Sequence, residues 1–533
     1  MKEKKGFDIP TIVVSMVLLG TMLTVTILKP VEATAFLVDA KNAACDIFGS
    51  YFMLMGIICL GACMWFAFSK YGEIRMGKEK PEYSTFSWGA MTFCAAMGSS
   101  VLYWAAVEWA YYIQSPPLNM EPFSREAIEH LLPYNMFHWG LVMWAIYAIG
   151  TAVLAYRYYV RGKAGLTLQD CCEGVLGDKA YGPLGTVINI IFVLAILGGL
   201  TISYGTGIPM LANNLANFTG INEGFLTNVL LTVAITIFFS VSTSRGLQKG
   251  MKVISGSTSW LCFIICGLFL FLGHTRFAIE NTLQSTGILI DKFPLMLTGL
   301  DTVGESGFPQ EWTVFFWAWS ICLAPWMWVF IAKISRGRTM RALVLMVIAA
   351  GTGGSLLFFT TISNYGIKSY LEGTIDIISA MADKGVNQII SDLCLSLPLG
   401  VGVLIFWFVS GFLLLATTMD SASYTLAAST SKGLLVGEDP KKSLRLLWAV
   451  LLSIAPFSLL YAGQFIEGGV PLGGLQALLI LCALPISITL IMTIISGVKW
   501  VTQDYAHLTR EQIRSEFAFA EEAAGSKNPA TAN

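Results

Sequence analysis

Long apolar runs separated by short polar connections dominate this chain. A bilayer core of about 30 Å takes roughly 20 apolar residues of helix. Runs of that length fall near residues 10–29, 48–69, 86–114, 137–160, 184–211, 224–242, 253–275, 312–332, 341–362, 400–430, 446–463 and 473–498. The pattern predicts an all-α polytopic membrane protein with 12 transmembrane helices. Several runs exceed the length a span needs, which predicts tilt or interruption. Residues 122–134, 280–298 and 375–392 mix polar and apolar positions at helical spacing and read as amphipathic helices at the external interface. From Arg510 onward the chain is Glu/Ala-rich and polar, and reads as a helix fraying into a disordered end.

The basic residues alternate with the runs. Lys2, Lys4 and Lys5 precede the first run; Lys70, Arg75, Lys78 and Lys80 fill the second connection; Arg157, Arg161 and Lys163 the fourth. Arg245, Lys249 and Lys252 follow in the sixth, Lys333, Arg336, Arg338 and Arg341 in the eighth, and Lys432, Lys441, Lys442 and Arg445 in the tenth. The odd-numbered connections are poor in Lys and Arg and lean acidic, as with Glu280, Asp291 and Asp301. Under the positive-inside rule both termini are cytoplasmic. A cleaved leader ending at Ala33-Thr34-Ala35 is the rival reading of the first run. That run is too long for one, and its removal would break the alternation.

Composition narrows the classes further. Of 533 residues, 55% are hydrophobic and 13% charged, more apolar surface than one water-soluble core hides. A net charge of −1 suggests no nucleic-acid partner. The 11 cysteines include no CxxC pair and mostly sit in apolar runs, so they read as packing residues. With four His, a zinc site is not expected. There is no nucleophile–base set and no phosphate loop, so the chain does not read as an enzyme.

Several runs carry candidate chemistry. The third contains Cys94-Ala95-Ala96-Met97-Gly98-Ser99-Ser100. Small residues let a helix unwind where it lines a cavity, or let another helix approach closely. The eighth holds Trp312, Phe316, Trp319, Leu323 and Trp326 on or near one face, and Pro325 strips the Ile321 carbonyl of its helical partner. The alternative is a core-facing aromatic stripe with a proline kink. The fourth begins His138-Trp139-Gly140 and continues to Trp144 and Tyr147. Trp144 and Tyr147 share a face, and Gly140 is where the start of the helix can distort. Aromatic faces attract cations, by about 0.5–2 kcal/mol each, and quaternary ammonium is the usual beneficiary; a lone Trp is otherwise an interfacial anchor. Glu108 and Asp420 are acids inside the membrane without a basic partner in their own runs. They are functional candidates, or else bond backbone at helix breaks. Thr417-Thr418 precede Asp420. Paired hydroxyls facing unwound helix suit Na+, although membrane hydroxyls more often bond the carbonyl four residues back.

The run Phe308-Pro309-Gln310-Glu311-Trp312-Thr313-Val314-Phe315-Phe316-Trp317-Ala318-Trp319, followed by Ile334-Ser335-Arg336-Gly337-Arg338-Thr339, resembles the signature of the betaine/choline/carnitine transporters. So do Pro81-Glu82-Tyr83-Ser84, Phe137-His138-Trp139-Gly140, Trp144-Ala145-Ile146-Tyr147 and Gly246-Leu247-Gln248-Lys249-Gly250, in order between about residues 70 and 430. The resemblance implies a LeuT-type fold, with two inverted five-helix repeats after two N-terminal helices. The parts are then 1–82, the repeats 83–276 and 312–498, a connecting helix and loop at 277–311, and a tail at 499–533. It further implies interrupted third and eighth helices, a homotrimer, a bacterial inner-membrane location and alternating access.

By the same resemblance, an aromatic box falls on Tyr111, Trp139, Trp144, Tyr147 and Trp319. The chain departs from the family at two box positions, where Ser320 and Leu323 replace aromatics, and Met327 matches the pattern of the carnitine antiporters. Losing two ring faces costs about 1–4 kcal/mol of cation binding unless another ring enters. Cys94, Met97, Thr417 and Thr418 stand where Na+-dependent members bind the ion, and Thr258 stands where Na+-independent members carry Arg. The expectation is a secondary transporter for a small quaternary-ammonium-type solute (betaine, carnitine, γ-butyrobetaine, choline or a relative) working in the bilayer. It would be Na+-coupled and need no cofactor beyond that ion. The alternatives are Na+-independent precursor/product exchange and uptake of a non-quaternary zwitterion.

Overall fold

The computed structural model describes residues 6–96, 100–245, 252–434, 438–466 and 472–518, and nearly all of them are helical. The helices are α1 (Ile9–Leu28), α2 (Pro30–Phe68), α3 (Thr85–Ala96), α4 (Ser100–Tyr112), α5 (Arg125–His138), α6 (Leu141–Ala155), α7 (Leu168–Leu176), α8 (Pro183–Thr219), α9 (Phe225–Arg245) and α10 (Lys252–Leu272). They continue with α11 (Thr275–Thr298), α12 (Phe315–Ile334), α13 (Met340–Phe358), α14 (Asn364–Leu371), α15 (Ile377–Lys384), α16 (Val386–Leu395), α17 (Gly400–Ser429), α18 (Lys442–Ala462), α19 (Leu472–Tyr505) and α20 (Arg510–Glu516). Ten described helices are long and apolar enough to cross a membrane; α10 and α11, bent by 106° at their junction, raise this to eleven if counted as one span. The third expected run is represented by α3 and α4, with residues 97–99 between them outside the described residues.

Three boundaries differ from the expected pattern for physical reasons. Helix α2 begins at Pro30 instead of near residue 48 and has 39 residues. At 1.5 Å per residue it is about 58 Å long, nearly twice the bilayer core. Its first turns carry Glu32, Asp39, Lys41 and Asp46, which break the apolar run without breaking the helix. The expected amphipathic stretch at 122–134 becomes α5, whose second half, Leu131–His138, is buried and leads into α6. The chain turns there at Trp139 and Gly140, where a Cβ on Gly140 would strike the Met136 carbonyl. The eighth run is continuous: a π-helical turn over Pro309–Val314 leads into α12, which passes through Pro325 unbroken. Membrane helices tolerate such a proline because neighbouring groups re-satisfy the freed carbonyl.

Helix α12 is the centre of the molecule, buried along its length apart from Lys333. Helix α6 packs on it through a notch at Gly150, where a Cβ would strike the Trp328 ring, and the Trp328 indole donates to the Ile146 carbonyl at 3.3 Å. Outward-facing apolar residues such as Val17 on α1, Leu230 and Ile237 on α9 and Val450 on α18 are exposed, as a lipid-facing surface requires.

The basic connections meet on one face. Met76 and Arg338, then Gly337 and Met76, then Met340 and Ile74, exchange backbone hydrogen bonds of 2.8 Å. Gly337 has φ +77°, and its Cβ would lie 2.5 Å from the Glu79 carbonyl oxygen. Arg338 donates to the Tyr83 carbonyl at 2.7 Å and lies over the Trp88 ring, and Arg336 pairs with Glu79 at 2.5 Å. The sequence blocks around Pro81 and Arg336 are therefore the two halves of one clasp. On the same face, strand β1 (Gly6–Phe7) pairs antiparallel with β2 (Ser431–Lys432), and Arg161 pairs with Asp504 at 2.8 Å. The block Gly246–Gly250, Lys2–Lys5 and the end beyond Ala518 lie outside the described residues.

Candidate functional site

Four of the five aromatic box candidates form two edge-to-face pairs, one between the turn before α6 and α12 and one within α6. Trp139 and Trp319 meet at 5.6 Å between ring centres and 90° between planes. Trp144 and Tyr147 meet at 5.5 Å and 88°. All four are at least 96% buried. Ser320 lies beside the second pair, in a side-chain interaction with Tyr147, while its hydroxyl donates to the Phe316 carbonyl at 2.6 Å. Leu323 packs on α8 against Gly199, and Met327 is buried one turn further along α12.

Three rings outside the five box candidates join the first pair: Phe316 of the α12 stripe, 5.6 Å from Trp139 and 5.7 Å from Trp319, and two that the sequence did not single out. Phe315 stacks on Trp319 at 5.6 Å and 16°, and Phe359 packs on Trp139 at 5.2 Å. Phe359 opens a π-helical turn, Phe359–Ser363, between α13 and α14. A π turn displaces the side-chain register of a helix, so a count of 3.6 residues per turn does not foresee where this ring points. The indole N–H of Trp319 has no hydrogen-bond partner among the described residues. It is a buried donor at the edge of the ring group, suited to an oxygen of a bound solute.

Trp144 is held from the other side. Its indole donates to Ser355 on α13 at 3.2 Å, and its ring fills a notch at Gly351 where a Cβ would overlap it. Tyr111 stands apart from the four rings: its ring contacts are Trp312 at 5.8 Å and Trp104 at 6.2 Å. With Tyr103, Thr206, Pro209 and Asn228 it lines a separate cavity of roughly 500 Å³.

Glu108 is the polar centre of the region. It is fully buried, and three neutral donors converge on it: the Tyr112 hydroxyl at 2.6 Å, the Asn135 amide at 2.7 Å and the Trp139 indole at 2.8 Å. Its partners are side chains, not backbone at a helix break. The network explains why Trp139 can sit at the turn between α5 and α6 and still hold one orientation. Asp420 accepts from Ser242 at 2.6 Å.

The expected ion ligands are only partly described. Cys94 is defined as part of the α3 backbone, and Met97 lies outside the described residues. Thr417 donates to the Leu413 and Leu414 carbonyls at 3.0 and 2.9 Å, and Thr418 to Leu414 at 2.9 Å. Their hydrogens are committed to their own helix, which leaves oxygen lone pairs to face elsewhere. Thr258 is buried.

The family model for betaine/carnitine/choline transporters matches residues 10–506. The chain belongs to this transporter family. The resemblance carried by the blocks around Trp139 and Trp319 thus extends over nearly the whole sequence, and makes the chain a multi-pass membrane transporter of small solutes. It is 34% identical over 478 residues to a carnitine transporter of Acinetobacter baumannii, covering 88% of this chain and 84% of that one. It is 33% identical over 459 residues to the uncharacterized transporter YeaV of Escherichia coli K12, covering 86% and 94%. Among solved structures, it is similar to a substrate-bound, outward-open Na+-coupled sialic acid symporter, at 12% identity and TM-score 0.43 over 90% of this chain and 83% of that one.

Proposed function

We propose that this transporter carries a quaternary-ammonium-type zwitterion, of the carnitine or betaine class, by Na+-coupled symport. The observation that carries the reading is the buried Trp139–Trp319 pair with Phe315 and Phe359 packed around it. A cluster of ring faces in a desolvated setting favours a cation that needs no hydrogen bonds, which describes a trimethylammonium head. The unpartnered Trp319 N–H supplies a donor for the solute's oxygen end. Phe315 and Phe359 support this reading despite Ser320 and Leu323, because they bring rings to the group from other positions. The related carnitine transporter supports the same solute class.

In this reading twelve spans cross a bacterial inner membrane, with the clasp face and both termini in the cytoplasm as the basic connections argue. Two inverted five-helix repeats, in a homotrimer, rock around the central site. Thr417 and Thr418, with Cys94 and Met97, hold the Na+. Thr258, in place of Arg, supports a site open to a cation. The test is uptake into proteoliposomes of carnitine, γ-butyrobetaine, choline, glycine betaine and a sulfonium analogue, each with and without a Na+ gradient. Uptake of one quaternary solute that needs Na+ supports the proposal. Counterflow of the same solute without Na+ establishes exchange instead, and transport restricted to non-quaternary zwitterions overturns the solute class.

A further inference from the structure

Glu108 is one end of a continuous chain of buried hydrogen bonds. Its Oε1 lies 2.6 Å from the Tyr112 hydroxyl; that hydroxyl lies 2.8 Å from His138 Nδ1; and His138 Nε2 lies 2.9 Å from the Thr313 hydroxyl. All four side chains are at least 98% buried. Thr313 belongs to the π-helical turn before α12, and Glu311, two residues earlier, is exposed. The chain therefore runs from Thr313, buried but two residues from the exposed Glu311, to the carboxylate that holds Trp139.

We propose that Glu108, Tyr112, His138 and Thr313 form a proton relay that loads a proton onto Glu108 and thereby weakens the adjacent aromatic site's hold on a cation. Every link can reverse, since both hydroxyls donate and accept and the imidazole exchanges tautomers. In the unloaded state Thr313 donates to His138 Nε2, His138 Nδ1–H donates to the Tyr112 oxygen, and Tyr112 donates to the Glu108 carboxylate. On loading, Thr313 passes its proton to His138 Nε2 and regains one from an aqueous hydronium ion. His138 passes its Nδ1 proton to Tyr112, and Tyr112 passes its own to Glu108 Oε1. One proton enters, Glu108 becomes a neutral acid, and the other three groups end uncharged.

The surroundings suit this role. Among the described residues no basic side chain pairs with Glu108, so its charge is offset only by neutral donors. The titratable groups facing it are Tyr112 on its own helix and, one bond further, His138 from α5. Tyr134 of α5 and Glu311 act on Tyr112. The 359–371 segment packed against α4 brings Lys368, which is paired with Glu372 at 3.0 Å. A carboxylate bonded to the Trp139 indole adds negative potential where the ring meets a cation, and protonation removes it.

The consequence for transport rests on the solute class proposed above, but the relay itself does not. Its test is infrared difference spectroscopy of the purified transporter without solute, between about pH 9 and pH 5, a window that brackets histidine titration. The relay predicts a buried protonated-carboxyl band that grows on acidification and is missing in Glu108→Gln. No such band, or the same band in the variant, overturns it. Tyr112→Phe cuts the relay while leaving the Asn135 and Trp139 bonds to Glu108. There the band should rise at least tenfold more slowly after a pH jump, and an unchanged rate contradicts the relay. With the solute identified, acidification should raise KM several-fold in the wild type and leave Glu108→Gln flat; parallel profiles would overturn the coupling to the aromatic site.

Discussion

The indole N–H of Trp139 donates to the carboxylate of Glu108 at 2.8 Å, joining an acid of α4 to a ring at the turn between α5 and α6. The bond orients one ring of the Trp139–Trp319 pair, so at the proposed solute site Glu108 would act through Trp139. Glu108→Ala should raise KM about tenfold, equivalent to ~1.4 kcal/mol, with a smaller change in kcat. Glu108→Gln still offers an acceptor to the indole and should restore KM to within about threefold at neutral pH. Equal loss in both variants would mean that the charge of the carboxylate, and not its bond to the indole, sets KM.

The Trp144 ring fills the notch at Gly351, and this contact is structural. Gly351→Val should destabilise the transporter by about 1–3 kcal/mol through overpacking, read as a lower melting temperature in detergent. A melting curve that matches the wild type would show that the α6–α13 contact yields without penalty.

Leu323 stands where a ring would extend the aromatic group along α12, one turn from Trp319. Leu323→Phe adds a ring face of about 0.5–2 kcal/mol toward a cation. Competition by glycine betaine against the transported solute should improve at least twofold. Weaker competition by every quaternary compound would place Leu323 away from the solute path.

Arg157 is buried between Asp170 at 3.1 Å and Glu173 at 2.9 Å, on the clasp face. Burial pushes the Glu173 carboxyl up, but the charge of Arg157, its hydrogen bond and Lys163 outweigh this and leave it below its ordinary value. A lowered folded value means that Glu173 stabilises the fold above the ordinary carboxylate range, about 4.3, and that this contribution fades as pH falls through the lowered value. Melting temperature should therefore drop more on strong acidification in the wild type than in Glu173→Gln. Parallel pH profiles would remove the ion pair from the stability of this face.

Hydropathy alone locates the long apolar helices, because a membrane span writes its signal locally, as does the alternation of basic connections that the clasp brings together. The start of α2 escapes that signal, since Glu32, Asp39, Lys41 and Asp46 interrupt an apolar run without interrupting a helix. Trp139, Trp144, Tyr147 and Trp319 are legible as candidates from residue type and resemblance. The shared face of Trp144 and Tyr147 and the distortion at Gly140 are legible too; the pairing of Trp139 with Trp319 is not, because it joins residues 180 apart through a turn that an unbroken helical wheel cannot represent. Resemblance groups Tyr111 with them, whereas its ring neighbours are Trp104 and Trp312. The partners of Glu108 come from 4, 27 and 31 residues away, and only the first separation is a helical repeat. Phe359 reaches Trp139 from 220 residues away, through a π turn that leaves no periodic signal.

If the Trp139–Trp319 pair binds the cationic head of a quaternary-ammonium solute, removing one of its rings must weaken transport of that solute. The decisive experiment is proteoliposome uptake of the quaternary panel by the wild type and by Trp319→Ala, with melting curves to confirm that the variant is folded. The wild type should take up at least one quaternary solute saturably. The variant should show an apparent KM at least about tenfold higher, or ~1.4 kcal/mol of lost binding. Wild-type uptake of no quaternary solute, or unchanged KM in a folded Trp319→Ala, would refute binding at this pair.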